Sequence, residues 1–223
     1  MTVIWAMPPR PRDRAAGMAG LFLSFEGIDG SGKSTQARML HESLVARGVD
    51  AILTREPGGS AGAEEIRRLV LEGDPDRWSA ETEILLFTAA RRDHLEKTIR
   101  PALARGAVVI CDRFADSTRI FQGITRGDLT ATVDRLHDLM IGLDPDLTLL
   151  IDIAPQAGLA RATARKGHEM RFEDMGLAFQ TRARDGFLSL ATRHARFAVI
   201  DGDRPPQAVA ADVLAKVLPR LPA

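Results

Sequence analysis

The sequence reads Gly27-Ile28-Asp29-Gly30-Ser31-Gly32-Lys33-Ser34 just after an apolar run, LFLSF at 21–25, and just before a helical pattern. This stretch matches G-x-x-x-x-G-K-[ST], and a strand before it with a helix after it is the context that the pattern requires. Its glycines let the backbone curl until several N–H groups converge on one phosphate, in front of a helix N-terminus. Lys33 supplies a positive charge, and the Ser34 hydroxyl is suited to Mg²⁺. The motif therefore predicts binding of a nucleoside triphosphate rather than a glycine turn that binds nothing.

Strands and helices alternate along the rest of the chain. Short apolar runs predict buried strands at 21–25, 51–54, 107–111, 147–151 and 197–200. Helical spacing of apolar residues predicts helices at 33–47, 64–71, 80–105 (with a break or a new start at Pro101), 130–143, 155–165, 179–192 and 206–218. Five buried strands separated by helices predict an α/β fold of the P-loop NTPase type. Its five-stranded, parallel, doubly wound sheet is flanked by helices and binds ligands at the carboxyl ends of the strands.

Composition excludes several classes of protein. Apolar residues make up 45% of the 223 residues and charged residues 27%, which are the proportions of a globular domain. The 30 Lys and Arg residues balance the 30 Asp and Glu residues, so binding of nucleic acid through bulk charge is not expected. No apolar stretch approaches the roughly 20 residues of a membrane span. Cys111 is the only cysteine, which rules out internal disulfides and multi-cysteine metal sites, and we expect a reducing, cytoplasmic location.

The first residues, MTVIWAMPPRPRDRAAG at 1–17, differ from the rest of the chain. They contain three prolines and three arginines without a periodic apolar pattern, and their apolar run is too short for a signal peptide. We expect a disordered extension, with a functional basic arm as the alternative. Met18 stands directly before the first predicted strand, and we expect it to be the biological start. Residues 18–223 are then expected to form a single domain.

The phosphate-binding motif alone leaves kinases, GTPases and motor-type ATPases open. A GTPase is expected to carry an Asn-Lys-x-Asp element that reads guanine, and the chain contains no asparagine. A mechanical ATPase normally needs a longer chain. Separated basic residues suit phosphoryl transfer to a small anionic acceptor, because two negatively charged substrates must be neutralised together. These residues are Arg55, Arg91, Arg92, Arg113, Arg119, Arg161, Arg165, Lys166 and Arg171.

Three motifs together resemble those of bacterial thymidylate kinases. They are FEGIDGSGKST at 25–35, TREPGG at 54–59, and CDRF at 111–114 followed by FQG at 121–123. The resemblance runs from about Leu21 to the C-terminus, with the motifs in the same order and spacing. It implies transfer of the γ-phosphoryl group of MgATP to dTMP in dTTP synthesis, by a homodimer with Mg²⁺ as cofactor. Another nucleotide or nucleoside kinase, or a P-loop regulatory switch, is the alternative.

Asp112 and Arg113 end the third predicted strand. The resemblance implies that Asp112 works near the metal and the phosphates, and that Arg113 holds the acceptor phosphate. A carboxylate can orient Mg²⁺ or its waters, and a guanidinium binds phosphate oxygens in bidentate fashion. The alternative is an Asp-Arg pair that only braces the edge of the sheet. Asp29 is expected at the water shell of the metal or at the sugar, unless it simply forms the turn. The predicted metal ligands are Ser34, Asp29 and Asp112.

Phe87 and Arg91 are four residues apart and share one face of a predicted helix. The resemblance implies that the ring stacks on thymine and that the arginine donates to a base carbonyl, which favours a pyrimidine-dione over cytosine. Without the resemblance, Phe87 would be a core residue. Related enzymes often carry tyrosine where Phe121 stands, and a phenyl ring still fills the space beside C2′ of the sugar. The residues predicted to bind dTMP are Asp29, Arg55, Pro57, Phe87, Arg91, Arg113, Thr118, Phe121 and Gln122.

The charged stretch 161–173 resembles the lid of the family over the ATP phosphates, and we place the lid at about 161–175. The phosphate-binding motif lacks an arginine that some relatives carry there, so the lid would supply the cations of the transition state. Arg165 and Arg171 are the candidates. A solvated loop is the alternative.

No catalytic or metal-binding role is predicted for the histidines or for the cysteine. The five histidines show no metal-ligand spacing, and Cys111 in a buried strand is expected to be an inert thiol.

The predicted catalytic residues are Lys33, Asp112, Arg113, Arg165 and Arg171. The predicted ATP-binding residues are Gly27, Ile28, Asp29, Gly30, Ser31, Gly32, Lys33, Ser34, Thr35 and Arg161.

Overall fold

The computed structural model describes residues 19–73, 77–164 and 176–221. Its strands are β1 (Leu21–Glu26), β2 (Ala51–Arg55), β3 (Val108–Asp112), β4 (Leu147–Asp152) and β5 (Phe197–Asp201). They form one sheet in the order β2-β3-β1-β4-β5, and every neighbouring pair is parallel. The predicted five-stranded parallel sheet is confirmed.

Helices connect the strands and cover both faces of the sheet. They are α1 (Lys33–Val45), α2 (Ala61–Leu71), α3 (Ala80–His94), α4 (Arg100–Ala104), α5 (Ala115–Thr118), α6 (Thr130–Leu136), α7 (Pro155–Thr163), α8 (Gly176–Arg193) and α9 (Pro206–Val217). A π-helical turn at Leu95–Ile99 joins α3 to α4, and two more follow α5 (Arg119–Ile124) and α6 (His137–Ile141). Pro101 lies in the first turn of α4, where a helix tolerates the missing N–H group.

Alternate side chains of β1 enter different layers of the core. Leu23 and Phe25 pack in a cluster with α1 and α9, while Phe22 packs on the other face against residues 95–103. All of β1 is buried because helices cover both faces, which explains why its sequence is a near-continuous apolar run.

The parallel register brings three strand ends to one edge of the sheet. Asp112 at the end of β3 lies opposite Phe25 of β1 on one side and opposite Arg55 of β2 on the other. The phosphate-binding motif leaves β1 at this same edge, so residues far apart in sequence meet there. The predicted location of a ligand site at the carboxyl ends of the strands follows from this arrangement.

The sequence prediction missed one helix and started another too late. Residues 115–124, which form α5 and its π-helical turn, were not assigned to any element. Asp116, Ser117 and Thr118 are all buried, so polar side chains occupy the positions where an apolar stripe would have shown the helix. Helix α2 begins at Ala61 rather than at residue 64, because its first turn consists of small residues without an apolar pattern.

Two of the sequence predictions concern residues outside the described ranges. They are the N-terminal extension at 1–17 and residues 165–175 of the lid. Among the helices of the described ranges, none has both the length and the apolar character to cross a bilayer.

Candidate active site

The phosphate-binding motif (residues 27–34, called the phosphate loop below) curls between β1 and α1. Gly27, Gly30 and Gly32 all have positive φ angles, of 143°, 72° and 95°, which side-chain-bearing residues rarely adopt. A Cβ atom at Gly30 would stand 2.0 Å from the carbonyl oxygen of Gly158 in α7. Only glycine therefore allows the loop to pack this closely on α7 while its backbone turns.

Lys33 is the buried cation of the phosphate loop. Its Nζ atom donates a hydrogen bond to the carbonyl oxygen of Ile28 at 3.3 Å and lies 3.8 Å from Oδ1 of Asp29. Burial disfavours the charged ammonium and the Arg113 guanidinium repels it, which together lower the pKa of Lys33 to about 8. An anionic phosphate at the loop would compensate both effects.

A cleft of about 290 Å³ opens at the carboxyl edge of the sheet, beside the phosphate loop. Most of the site residues predicted from the sequence line it: Asp29, Gly30, Lys33, Ser34, Arg55, Pro57, Phe87, Arg91, Asp112, Arg113, Thr118, Phe121 and Gln122. The structure adds residues that the sequence analysis did not assign to the site: Glu56, Arg67, Leu71, Phe114 and Ser117. Glu56 and Phe114 stand inside the quoted motifs, whereas Ser117 lies on the missed helix α5.

The other predicted site residues stand elsewhere. Gly27, Ile28, Ser31, Gly32 and Thr35 do not line the cleft, although they belong to or adjoin the phosphate loop. Arg161 in α7 is half-exposed, and its Nη2 atom lies 2.9 Å from Oδ1 of Asp203 in the loop after β5. Arg165 and Arg171 lie outside the described residues.

Arg113 joins the end of β3 to the phosphate loop. Its Nη2 atom donates to Oδ1 of Asp29 at 2.5 Å, and its Nη1 atom donates to the carbonyl oxygen of Gly27 at 3.1 Å and to Oγ of Ser117 at 3.0 Å. Its guanidinium carbon lies 4.9 Å from the ring centre of Phe121. Arg113 is also the one residue other than glycine with a positive φ, 69°, in the described part of the chain. Such strain costs roughly 1–2 kcal/mol and is commonly found at functional sites.

Asp29 is held on both of its carboxylate oxygens. Oδ1 accepts from Arg113, and Oδ2 accepts from Nε2 of Gln180 in α8 at 3.0 Å. Burial opposes ionisation of Asp29, but the charges of Arg113 and Lys33 and the hydrogen bond from Gln180 hold its pKa below the usual range. The Asp29 carboxylate therefore orients Arg113. Asp29 was predicted to be a metal ligand, but both of its carboxylate oxygens already accept hydrogen bonds from the protein.

Asp112 and Ser34 are the better pair for a divalent cation. Oδ1 of Asp112 is buried and has no hydrogen-bond partner among the described residues. Ser34 lines the same cleft and brings a hydroxyl oxygen. Hard oxygen donors with one unsatisfied carboxylate oxygen fit Mg²⁺, which is usually bound by one or two protein ligands together with phosphates and waters.

Phe87 and Arg91 of α3 belong to the lining of the cleft. Arg91 is only 4% exposed. The Nε atom of Arg91 donates to Oε2 of Glu56 at 2.6 Å, and its Nη2 atom donates to Oγ1 of Thr118 at 3.0 Å. The guanidinium carbon also lies 5.2 Å from the ring centre of Phe114. The cleft is therefore lined by an aromatic ring and by a guanidinium of fixed orientation.

The end of β2 and helix α2 also contribute to the lining of the cleft. Arg55 is half-exposed and pairs with Glu64 in α2, with Nη2 to Oε2 at 3.1 Å. The Nη1 atom of Arg67 donates to the carbonyl oxygen of Pro57 at 2.6 Å. Both arginines line the cleft. Only Arg55 was predicted from the sequence to belong to the site, and Arg67 of α2 adds a second positive charge.

Glu26, the last residue of β1, is a fully buried acid behind the phosphate loop. Its Oε1 atom accepts from the N–H groups of Phe114 at 2.8 Å and Ser117 at 3.3 Å, and its Oε2 atom accepts from the Ser117 hydroxyl at 2.6 Å. Burial and the nearby Asp116 raise the pKa of Glu26 to about 7, against the opposing charge of Arg113. Through Ser117, the acid stabilises the segment that carries Arg113.

We expect Glu26→Gln to become progressively more stable, relative to the wild type, as the pH rises. The folded chain retains the proton of Glu26 up to about pH 7, whereas the unfolded chain releases it near pH 4.5. This group's stabilisation is therefore complete below the lower value and is lost as the pH rises through the upper one. The difference in unfolding free energy should grow by about 3 kcal/mol across this window.

Urea unfolding of both proteins at several pH values between about 5 and 8 measures this difference. Glu42→Gln is the matched control, since Glu42 is exposed on α1. Parallel pH profiles for the wild type and Glu26→Gln would contradict the raised pKa.

A family model described as Thymidylate kinase matches residues 25–213 of the chain. The chain belongs to the thymidylate kinase family. The resemblance seen in the three sequence motifs is confirmed.

Curated relatives support the assignment to the thymidylate kinase family. The thymidylate kinase of Ruegeria pomeroyi is 70% identical over 203 residues, which cover 91% of this chain and 96% of the relative. That of Dinoroseobacter shibae is 66% identical over 197 residues, with coverages of 88% and 95%. A crystal structure of thymidylate kinase from Ehrlichia chaffeensis is similar with a TM-score of 0.74 at 35% identity, and the match covers 89% of this chain and 98% of that one. The sheet and cleft described above are therefore built on the fold of a thymidylate kinase.

Proposed function

We propose that this chain transfers the γ-phosphoryl group of MgATP to the 5′-phosphate of dTMP, which yields ADP and dTDP for dTTP synthesis. The observation that carries the proposal is the arrangement along one cleft. Lys33 of the phosphate loop, Arg113, Phe87 and Arg91 all line this cleft. Arg113 is hydrogen-bonded to Gly27 and Asp29 of the phosphate loop, whereas Arg91 is hydrogen-bonded to Glu56 and Thr118. Membership of the thymidylate kinase family supports the choice of dTMP over other acceptors.

The donor half of the reaction uses the phosphate loop. Its backbone N–H groups and Lys33 bind the β- and γ-phosphates, and the carboxyl end of the sheet places them next to the acceptor. Ser34 and Asp112 would hold Mg²⁺, which neutralises charge on the phosphates when bound. An oxygen of the acceptor phosphate attacks the γ-phosphorus atom while the bond to the β–γ bridging oxygen breaks and ADP leaves.

The acceptor half places the dTMP phosphate at Arg113 and its base between Phe87 and Arg91. The acceptor phosphate is already anionic, so the reaction needs no general base, and catalysis consists of positioning and charge neutralisation. Arg55 and Arg67 add positive charge to the lining of the cleft. Phe121, whose ring lies against Arg113, occupies the position proposed beside C2′ of the sugar.

The proposed lid, at about 161–175, completes the site within a single kinase domain of residues 18–223. Arg165 and Arg171 remain the proposed transition-state cations. Arg161 remains the proposed ATP contact, next to the loop after β5. Closure of a lid over bound nucleotides would exclude water and so limit hydrolysis of ATP.

A coupled assay of ADP release tests the proposed function. Turnover should depend on dTMP and exceed the rate with ATP alone, and dCMP, UMP and thymidine should be poorer acceptors. Stimulation by thymidine instead of dTMP would indicate a nucleoside kinase. Nucleotide binding without turnover on any acceptor would indicate a regulatory switch, and either result overturns the proposal.

We also propose a homodimer in the cytoplasm. Leu85 of α3 is 59% exposed, and Leu139 and Met140 of the π-helical turn after α6 are 60% and 49% exposed. A hydrogen bond from Nη1 of Arg92 to the carbonyl oxygen of Met140, at 2.7 Å, holds this turn against α3. Exposed apolar side chains on two adjoining elements suit contact with a second copy of the chain. A single, buried cysteine and the use of ATP both suit the reducing cytoplasm.

Leu139→Asp should convert the dimer to a monomer, because it places a charge in the centre of this apolar face. Light scattering after size-exclusion chromatography measures the mass directly. Val45→Asp is the matched control, since Val45 is an exposed apolar residue of α1 away from this face. A variant at position 139 that stays dimeric would show that the two copies meet elsewhere.

A further inference from the structure

Four side chains form a largely buried network of hydrogen bonds, and two of them, Glu56 and Arg91, line the cleft. Oγ1 of Thr54 lies 2.7 Å from Nε2 of His94, and Nδ1 of His94 lies 3.1 Å from Oε1 of Glu56. The other oxygen of Glu56 accepts from Nε of Arg91 at 2.6 Å. His94 is fully buried, and the side chain of Glu56 is only 4% exposed. Neither His94 nor Glu56 was predicted to have a role in the site.

The hydrogen bond between His94 and Glu56 has one assignable direction. An ionised carboxylate can only accept, so the Nδ1 atom of His94 carries the proton that it shares with Glu56. In the neutral ring, Nε2 then accepts from the Thr54 hydroxyl. His94 and Arg91 are three residues apart on α3, and Glu56 bridges them with its two oxygens. The arrangement leaves Glu56 little freedom to turn away from Arg91.

The turn after β2 is built closely around His94. A Cβ atom at Gly59 would stand 2.3 Å from Nε2 of His94 and 2.4 Å from Oγ1 of Thr54. Oγ1 of Thr98 also donates to the carbonyl oxygen of Gly59 at 2.7 Å. The histidine therefore sets the position of the turn, and hence of Glu56, relative to α3.

A buried ion pair is poor evidence of a purely stabilising role, because well-packed apolar residues often serve as well or better. The guanidinium of Arg91 is instead fixed in a wall of the cleft. Glu56 binds its Nε edge, Thr118 binds Nη2, and the ring of Phe114 lies 5.2 Å from its centre. Restraint on three sides fixes the direction of the remaining N–H groups of Arg91.

We propose that Glu56, oriented by His94, is a positioning residue that aims Arg91 at the 4-carbonyl oxygen of a pyrimidine base. A donor of fixed direction strengthens the binding of a base with an acceptor at position 4. It weakens the binding of a base with a 4-amino group, because that group cannot accept the hydrogen bond. The pair thus contributes to the preference for a thymine-like base over a cytosine-like one. This inference rests on the function proposed above.

The test compares kinetics of His94→Asn with those of the wild type. The variant should raise KM for dTMP about tenfold, with a smaller effect on kcat and on KM for ATP. The ratio of kcat/KM for dTMP to that for dCMP should fall about tenfold, because only the base with a 4-carbonyl loses a contact. An unchanged ratio, with lower thermal stability alone, would show that His94 is only structural and would overturn the inference.

Two further variants keep the test decisive. His41→Asn is the control, since the half-buried His41 of α1 donates from Nε2 to the carbonyl oxygen of Ala51 at 3.2 Å and does not line the cleft. It should keep the dTMP to dCMP ratio even where it loses stability. If His94→Asn does not fold, Thr54→Val removes only the far end of the chain of hydrogen bonds and should lower the same ratio about threefold. A ratio that Thr54→Val leaves unchanged would then overturn the inference.

Failure of this inference is distinguishable from failure of the proposed function. A wild-type protein that does not turn over dTMP refutes the function itself. An active wild type whose dTMP to dCMP ratio is insensitive at positions 94 and 54 refutes only the positioning role.

Discussion

Lys33→Ala should fold as the wild type does and lose about three orders of magnitude or more in kcat. The backbone of the phosphate loop remains, so the nucleotide still binds, but the charge that meets the β- and γ-phosphates is gone. Burial and the Arg113 guanidinium lower the pKa of Lys33 to about 8, so the protein alone opposes the positive charge that the reaction needs. Removal of the ammonium should therefore not lower the thermal stability of the nucleotide-free protein.

Steady-state kinetics with a thermal melt of the same samples measure both effects. Lys97→Ala is the matched control, because Lys97 is exposed on the helical turn between α3 and α4. It should retain the wild-type rate. Near-normal turnover of Lys33→Ala would contradict the assignment of the phosphate loop.

Arg113→Lys should lower kcat/KM for dTMP by about 10² to 10³ and leave KM for ATP within about threefold. The guanidinium simultaneously binds Asp29, the Gly27 carbonyl and the Ser117 hydroxyl, which leaves its position fixed beside the phosphate loop. A lysine keeps the charge but has neither the fork that spans these partners nor the bidentate grip on a phosphate. The loss should therefore fall on the acceptor substrate.

Arg113→Gly separates the catalytic role from the fold. Glycine adopts the φ angle of 69° without cost, so the strained backbone is relieved while the side chain disappears. We expect this variant to be at least as stable as Arg113→Lys and less active. Arg92→Lys, at a half-buried arginine outside the cleft lining, is the matched control for the loss of a guanidinium. Equal KM values for dTMP in the wild type and Arg113→Lys would contradict the acceptor role.

The sequence predicted the sheet well because its central strands are buried on both faces. Apolar runs such as 107–111 need no tertiary information to be read as strands, and the glycine-rich motif between a strand and a helix locates the phosphate loop. The resemblance to the family then predicted that Arg113, Phe87 and Arg91 share one site. Their roles toward substrates stay predictions, whereas the cleft that brings them together is described by the structure.

The residues that the sequence analysis missed depend on contacts between distant parts of the chain. Glu26 meets the N–H group of Phe114 across 88 positions, and Glu56 meets Arg91 across 35. Helix α5 was missed because most of its buried side chains are polar. Their hydrogen-bond partners lie in other elements, so the sequence of α5 shows no periodic apolar pattern. Pairing of acids with arginines and histidines over such separations has no local signature.

The eight residues of the phosphate loop are not self-sufficient. The carbonyl oxygen of Gly158 in α7 packs against Gly30, and the side chain of Gln180 in α8 donates a hydrogen bond to Asp29. Grafting residues 27–34 alone onto another scaffold would leave both supports behind. A transplanted phosphate-binding site therefore has to include the loop and both helices that flank residues 165–175, α7 and α8.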